Sequence, residues 1–430
     1  MGMGGVQRTA KFVKYLPDYG WKPLVLTVTP KQYLAKDECL LEDLDNGHTQ
    51  IFRTGSLLSN NLQNEQKIVK FSNDRYRKFL SNLSQVFLIP DSKILWKKDA
   101  LNLAEKVISE NKIELIYATA PPYTDFLAAY ELKKKFGLPV VIDYRDSWID
   151  CPNNFYLTPF HKRAHYILER KVLESADKII TINRRIKELI IEKYPFVEDA
   201  DVVVIPQGFD PDDFNREFRT SEPKQKMRFT YAGSFLNYYT PEYFLKALSS
   251  VFESRPELKN KIEVCFIGSF PEEYKGFIEQ YGVSNAVNLL GYLEHSECID
   301  YEMNSDVLWM MIRKTNRSDL HSTGKLYEYF GARKPILACV PDGVARESLK
   351  EHGAVKMCQP DDVRAIAGAI IEFYELYRNK ALPKPDNKLI SAYDRRKLTG
   401  ELAARFKDLV SDSESAKSNR KTTKEGFVHT

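Results

Sequence analysis

His321-Ser-Thr-Gly-Lys-Leu-Tyr-Glu-Tyr-Phe-Gly-Ala-Arg-Lys-Pro-Ile-Leu-Ala-Cys-Val-Pro341 is the stretch on which the reading of this chain turns. Before it, Asp306 to Ile312 is an apolar run of strand length, and Arg313 to Leu320 is a polar loop. Ser322, Thr323 and Gly324 are small and suit a helix start that a ligand can approach closely. The spacing predicts a helix from about Lys325 to Phe330, stopped by Gly331 and Pro335, and a buried strand from Ile336 to Val340. Unpaired N–H groups and the positive end of the helix would then lie at Ser322 to Lys325, a seat for a phosphate or diphosphate. Glu328 lies at i+4 from Gly324, on the same face, where a carboxylate can accept two hydrogen bonds from the vicinal diol of a ribose. Phosphate at the helix tip and ribose one turn on describe a nucleotide. The plain alternative is that Lys325 and Glu328 form an exposed i,i+3 ion pair, and these residues alone leave both readings open.

Composition sets the bounds. A chain of 430 residues is too long for one compact core and suits two domains. Its formal charge of +4 is too small to argue for nucleic acid. Cysteines 39, 151, 265, 298, 339 and 358 are scattered with no Cys-x-x-Cys, which favours free, mostly buried thiols in a reducing cytoplasm. No carboxylate pair has a good metal-site spacing, and no metal or cofactor is expected. No apolar run approaches the roughly 18 residues needed to span a bilayer. We therefore expect a cytoplasmic protein, with the inner face of the membrane as a place of contact.

Outward from the opening stretch, short apolar runs alternate with helical ones. In the first half, strands are expected at Leu24 to Val28, Ile51 to Arg53, Leu115 to Ala118, Pro139 to Tyr144, Lys178 to Ile182 and Val202 to Ile205. Arg216 to Lys226, charged and containing Pro223, reads as the linker. The alternation then restarts with strands at Arg228 to Ala232, Ile262 to Ile267, Val287 to Leu290, Val307 to Ile312, Ile336 to Val340 and Val355 to Met357. This pattern predicts parallel, doubly wound sheets twice over. Asn60 to Leu88 sets Lys67, Lys70, Arg75, Arg77 and Lys78 among Phe71, Tyr76, Phe79, Leu80 and Phe87, either a solvated helix face or a patch for anionic lipid. Arg145 and Asp146 follow the strand ending at Tyr144, where open α/β sheets place ligands; a structural ion pair is the alternative.

Taken in order, these pieces resemble a GT-B glycosyltransferase of family 4, retaining and nucleotide-sugar dependent. The N-terminal landmarks are Gly4-Gly-Val-Gln-Arg-Thr-Ala-Lys-Phe-Val-Lys-Tyr-Leu-Pro17, Pro90-Asp91 with Trp96, Tyr117-Ala-Thr-Ala-Pro-Pro122, Asp143-Tyr-Arg-Asp-Ser-Trp148, Glu169 with Ala176-Asp177, and Val204-Ile-Pro-Gln-Gly-Phe-Asp210. In the second half, Gly324-Lys-Leu-Tyr-Glu-Tyr-Phe-Gly-Ala-Arg-Lys-Pro335 is the most specific. The resemblance implies two Rossmann-like domains facing a cleft and a C-terminal helix returning to the first. It implies residues 1–206 as an acceptor-binding domain, 207–388 as a nucleotide-sugar-binding domain and 389–410 as the crossover helix, with 411–430 a disordered tail. The implied partners are a nucleotide-diphosphate sugar as substrate and a sugar or lipid-linked acceptor. Contact with an anionic membrane is allowed, and no nucleic acid is expected.

Two departures from the family pattern stand out. Glu328 matches the second glutamate of the family's pair, the one that grips ribose, but the first would fall at Leu320. Relatives often place Arg and Lys after the strand that here ends in Gly233-Ser234, yet no cation follows until Lys246. Lys325, Arg313, Lys314 or Arg317 is expected to neutralise the diphosphate instead. Tyr292 is a candidate to cover the base or a core aromatic. Arg145 and Asp146 are expected on the acceptor side. The resemblance leaves room for a non-catalytic partner subunit or sugar-nucleotide-binding scaffold, and for a nucleotide-sugar epimerase. The Gly4-Gly5 loop has no strand before it, although family members have one. The expectation is a shortened chain, with a gap or a collapsed pair in the first sheet where that strand belongs.

Overall fold

The computed structural model describes residues 4–29, 43–44, 47–55, 87–151, 154–218, 226–235 and 239–425. The chain divides into two compact units, Met1–Pro206 with Leu398–Thr430, and Gln207–Lys397. The boundary thus falls between Pro206 and Gln207, ahead of the segment expected as the linker. Arg216, at the start of that segment, forms an ion pair with Asp300 at 2.9 Å. The basic segment 60–86 lies outside the described residues.

In the first unit, β1 (Leu24–Val28) and β2 (Gln50–Thr54) form one parallel ladder. A separate four-stranded parallel sheet runs β3 (Ile116–Ala120), β4 (Val140–Tyr144), β5 (Lys178–Thr181) and β6 (Val202–Val204). Among the described residues, β3 pairs on its β4 side alone. Gly4 and Gly5 do not form a loop; they open the helix Gly4–Tyr15. Phe12 and Leu16 pack with Val141 of β4 and Ile180 of β5, and Leu398, Leu402 and Phe406 close the same core. Those last three lie at i, i+4 and i+8 on the helix Arg395–Glu425, which explains how one helix face is covered. The segment expected as a polar tail continues this helix to Glu425, because no Gly or Pro interrupts it before Gly426.

The second unit has one parallel sheet, in the order β12-β11-β10-β7-β8-β9. These strands are β7 (Met227–Ala232), β8 (Ile262–Ile267), β9 (Val287–Gly291), β10 (Val307–Met311), β11 (Ile336–Cys339) and β12 (Val355–Cys358). Val307, Trp309 and Met311 enter a core with the helices Glu242–Ser254 and Val363–Arg378. Leu308, Met310 and Ile312 enter the opposite core, with the helix Gly324–Ala332. An uninterrupted apolar run is what a strand covered on both faces requires. The chain winds outward from β7 in one direction and from β10 in the other. The switch point therefore lies between them, where sheets of this kind receive ligands at the carboxyl ends of their strands.

Candidate functional site

The switch point is held open by one hydroxyl. β7 and β10 pair at Val307–Phe229 and Leu308–Thr230 and go no further. Beyond that, Tyr329 inserts its hydroxyl, which accepts from the Ala232 N–H at 3.0 Å and donates to the Trp309 carbonyl at 3.0 Å. A side chain thus completes what would have been a ladder bond, and the strands splay around it. Because Tyr329 belongs to the helix Gly324–Ala332, the same wedge fixes that helix across the strand ends.

Gly233 and Gly268 follow β7 and β8 with φ of +146° and +114°. A Cβ on Gly268 would lie 2.7 Å from the Gly233 carbonyl, so the two turns stack backbone to backbone. Ser234 secures them by accepting the Ser269 N–H on its hydroxyl at 3.0 Å. A Cβ on Gly233 would meet the Lys325 Nζ at 2.3 Å. Lys325 therefore lays its ammonium in the space that a side chain at 233 would fill, 3.4 Å from the centroid of the Tyr231 ring. The Gly233 turn carries no cation of its own in sequence, and the helix supplies one to it in space. Neither Lys325 nor Glu328 is exposed, so the alternative of an exposed surface pair does not hold. Burial, opposed by the nearby Glu328 carboxylate, lowers the Lys325 pKa to about 7. The ring face under the ammonium offsets part of that desolvation.

At the helix start, Thr323 has extended backbone at the N-cap position, but its side chain caps nothing. Its Oγ1 is buried without a partner. Space beside Gly324 is open, and Ser322 shares a 2.9 Å hydrogen bond with the Tyr327 hydroxyl. One turn on, Glu328 lies 3.7 Å from His295 Nδ1, and His295 Nε2 lies 3.1 Å from Asp213. Behind them, Glu302 is fully buried with both oxygens unpartnered. Burial first, then the Glu328 carboxylate, pushes its pKa well up.

The other expected cations are not brought in. Arg313 and Lys314 are exposed beyond the end of β10, and Arg317, in left-handed backbone, pairs with Asp319 at 3.3 Å. Tyr292 is 47% exposed after β9 and is no core aromatic. Leu320 is buried in the turn Ser318–Leu320, so the position of the family's first glutamate is filled by packing.

In the first unit, the Asp143 carboxylate is the hub. Arg8 grips it in bidentate fashion at 2.8 and 2.9 Å, and Tyr117 donates to it at 2.6 Å. The same guanidinium donates to the Pro206 and Ile205 carbonyls at 2.8 and 2.9 Å. Arg8 and Asp143 are both fully buried, so this pair pins the first helix to the strand ends. The sequence reading missed it, though Arg8 and Asp143 both stand in family landmarks. Arg145 and Asp146 diverge: the Arg145 side chain donates to the Pro121 carbonyl, while Asp146 is exposed. Near Arg145, Asp125 has a buried Oδ1 without a partner, and burial followed by the Asp91 charge lifts its pKa to about 7.

Among the described residues, no three His, Cys, Asp or Glu side chains are grouped to hold a metal ion. No helix among them is long and apolar enough to cross a membrane.

Two α/β units with parallel strands form an architecture that recurs among solved structures. Over 95% of this chain and 96% of the other, it is similar to a glycosyltransferase from Rickettsia africae, with a TM-score of 0.62 at 15% identity. The Anabaena protein HepE in complex with UDP-glucose matches over 97% of each chain, with a TM-score of 0.58 at 15% identity. A trehalose 6-phosphate synthase from Burkholderia multivorans matches over 91% of this chain and 99% of its own, with a TM-score of 0.60 at 11% identity. At these identities the likeness is one of fold. No curated protein sequence matches the chain. Residues 3–213 match Glycosyltransferase Family 4, and residues 212–391 match Glycosyl transferases group 1. The chain belongs to family 4 of the retaining, nucleotide-sugar-dependent GT-B glycosyltransferases, and is an enzyme of that class.

Proposed function

We propose that the chain moves a sugar from a nucleoside diphosphate to a hydroxyl of a sugar or lipid-linked acceptor, in the assembly of surface polysaccharide or glycolipid at the inner face of the membrane. The observation that carries the donor half is Lys325, seated on Gly233 over the Tyr231 ring at the switch point. The diphosphate lies against Lys325, the free N–H groups at Gly324 and the Thr323 hydroxyl. Glu328, one turn on, accepts from the ribose hydroxyls. As the bond from the anomeric carbon to the diphosphate oxygen breaks, its electron pair passes to the leaving diphosphate. Lys325 and the helix start stabilise that charge. The acceptor oxygen bonds the same carbon with configuration retained, and its proton is released. With Leu320 at the first glutamate position, the sugar is held without that carboxylate. Arg145 and Asp146 stand on the acceptor side.

The test is a panel of UDP-, GDP-, ADP- and dTDP-sugars scored by thermal shift, followed by release of the nucleoside diphosphate from the sugar that binds. One donor raising the unfolding temperature and then being turned over is the expected result. A donor that binds but is never cleaved, with or without acceptors, would make the chain a binding scaffold. No binding at all would remove the donor site.

A further inference from the structure

Phe155-Tyr156-Leu157, between β4 and the helix Pro159–Ser175, alternates outward, inward, outward. Tyr156 is held inward by a hydrogen bond to the Ile149 carbonyl at 3.3 Å and by an edge-on contact with the His165 ring at 5.1 Å. The Asn154 amide braces it, donating to the Trp148 carbonyl and to the Tyr156 hydroxyl. Thr158 meets His161 Nδ1 at 2.8 Å where the helix begins. A segment pinned in this way does not expose its other side chains by fraying. Phe155 and Leu157 are nevertheless 39% and 57% exposed, and Phe160 is 83% exposed. Ile167, two turns beyond Phe160 on the same helix face, is 45% exposed. Single exposed apolar residues are ordinary, but four on one braced segment are a patch.

The charges around the patch are of one sign. Lys162, Arg163 and Lys171 are exposed, and no carboxylate among the described residues pairs with them. Arg170 pairs with Glu174 at 2.7 Å. The helix's other carboxylate, Glu169, is buried and accepts the Tyr194 hydroxyl at 2.8 Å, so it adds no surface charge. Apolar tips flanked by uncompensated cations fit the boundary between acyl chains and anionic headgroups. The segment follows β4, so it lies at the carboxyl edge of the first sheet, the edge where such sheets meet ligands.

We propose that Phe155, Leu157, Phe160 and Ile167, with Lys162, Arg163 and Lys171, form a docking surface for an anionic lipid bilayer. This deepens the reading of a transferase working at a membrane and rests on it for biological sense, but its test requires no turnover. The full chain is sedimented with vesicles of phosphatidylcholine alone and of phosphatidylcholine with phosphatidylglycerol in equal parts. Binding to the anionic vesicles is expected at low salt and is lost in high salt. Leu157→Glu, Phe160→Glu and the pair Lys162→Glu with Arg163→Glu should each lower it roughly tenfold or more. Leu157→Ser and Phe160→Ser, milder exchanges at exposed sites, should lower it in the same direction with unchanged circular dichroism. The thermal shift with donor should stay at the wild-type value throughout, which separates failure here from failure of the donor site. No binding to anionic vesicles, equal binding to both vesicle types, or full binding by the variants would overturn the proposal. So would a dimer seen by light scattering that Phe160→Glu dissolves, since a second copy would then cover the face.

Discussion

Replacing Lys325 with Met should separate function from stability with opposite signs. Met keeps the apolar stem and removes the ammonium. Burial lowers the Lys325 pKa from 10.5 to about 7. A folded-state value below the unfolded one means that the unfolded chain binds more protons between those limits. The penalty is therefore fully present below pH 7 and is relieved as pH rises toward 10.5. A drop of that size corresponds to roughly 3–5 kcal/mol against folding at low pH, part of it already offset by the Tyr231 ring. Lys325→Met should thus leave stability unchanged or raise it by about 1–3 kcal/mol at pH 7, with the gain shrinking by pH 9. Affinity for the donor should fall by about 1.5–3 kcal/mol, roughly ten- to 150-fold, the scale of a charge-assisted hydrogen bond. Turnover should fall further, by about a hundredfold or more, because charge on the diphosphate grows as the bond breaks. Calorimetric titration with the nucleotide sugar, and urea unfolding at both pH values, read the two signs. A variant that unfolds more easily at pH 7 and binds donor normally would make the ammonium a structural cation and refute the reasoning.

Glu328→Ala should weaken donor binding by about 1.5–3 kcal/mol with the fold intact, and unchanged affinity would remove the ribose contact. Donor affinity should be flat below pH 7 and fall by up to tenfold per unit above it, because a neutral Lys325 must take up a proton to meet the diphosphate. A nucleotide sugar does not titrate in this range, so calorimetry at pH 8 in buffers of different ionisation enthalpy should register close to one proton taken up; zero uptake contradicts this. Tyr329→Phe removes the hydroxyl shared by Ala232 and Trp309 and should cost about 1–3 kcal/mol in urea unfolding. Arg8→Met strands the buried Asp143 carboxylate and should cost about 3–5 kcal/mol, with a loss below 1 kcal/mol arguing that the pair is dispensable.

The strands were legible because the pattern that defines them is local. Val307 to Ile312 is apolar on both faces, and it is a strand covered on both faces. The helix at 324 was legible for the same reason, with small residues before it and Pro335 after it. What the sequence did not disclose depends on distant residues meeting. Glu328 meets His295, and His295 meets Asp213, more than thirty and eighty positions apart in the chain, and no spacing rule links them. Choosing Lys325 over Arg313, Lys314 and Arg317 required knowing that Gly233 lacks a Cβ exactly where the amine arrives in space, a fact of packing. Arg8 and Asp143 were each in view as parts of motifs. That they form one buried pair follows from the first helix lying across the strand ends, which the helix's own periodicity does not specify. The continuation of the last helix to Glu425 was missed because polarity was read as disorder, although Ser, Lys and Glu without Gly or Pro do not end a helix.

The central claim is that a nucleoside diphosphate sits at the switch point of the second unit, against Gly233 and the start of the 324–332 helix. Amide hydrogen exchange, with and without a saturating nucleotide sugar, measures this most directly. The account predicts slowed exchange in peptides covering 231–235 and 322–329 in the wild type, and weaker protection of the same peptides in Lys325→Met at the same nucleotide-sugar concentration. Protection confined to other strand ends, with these two segments unchanged, would contradict it.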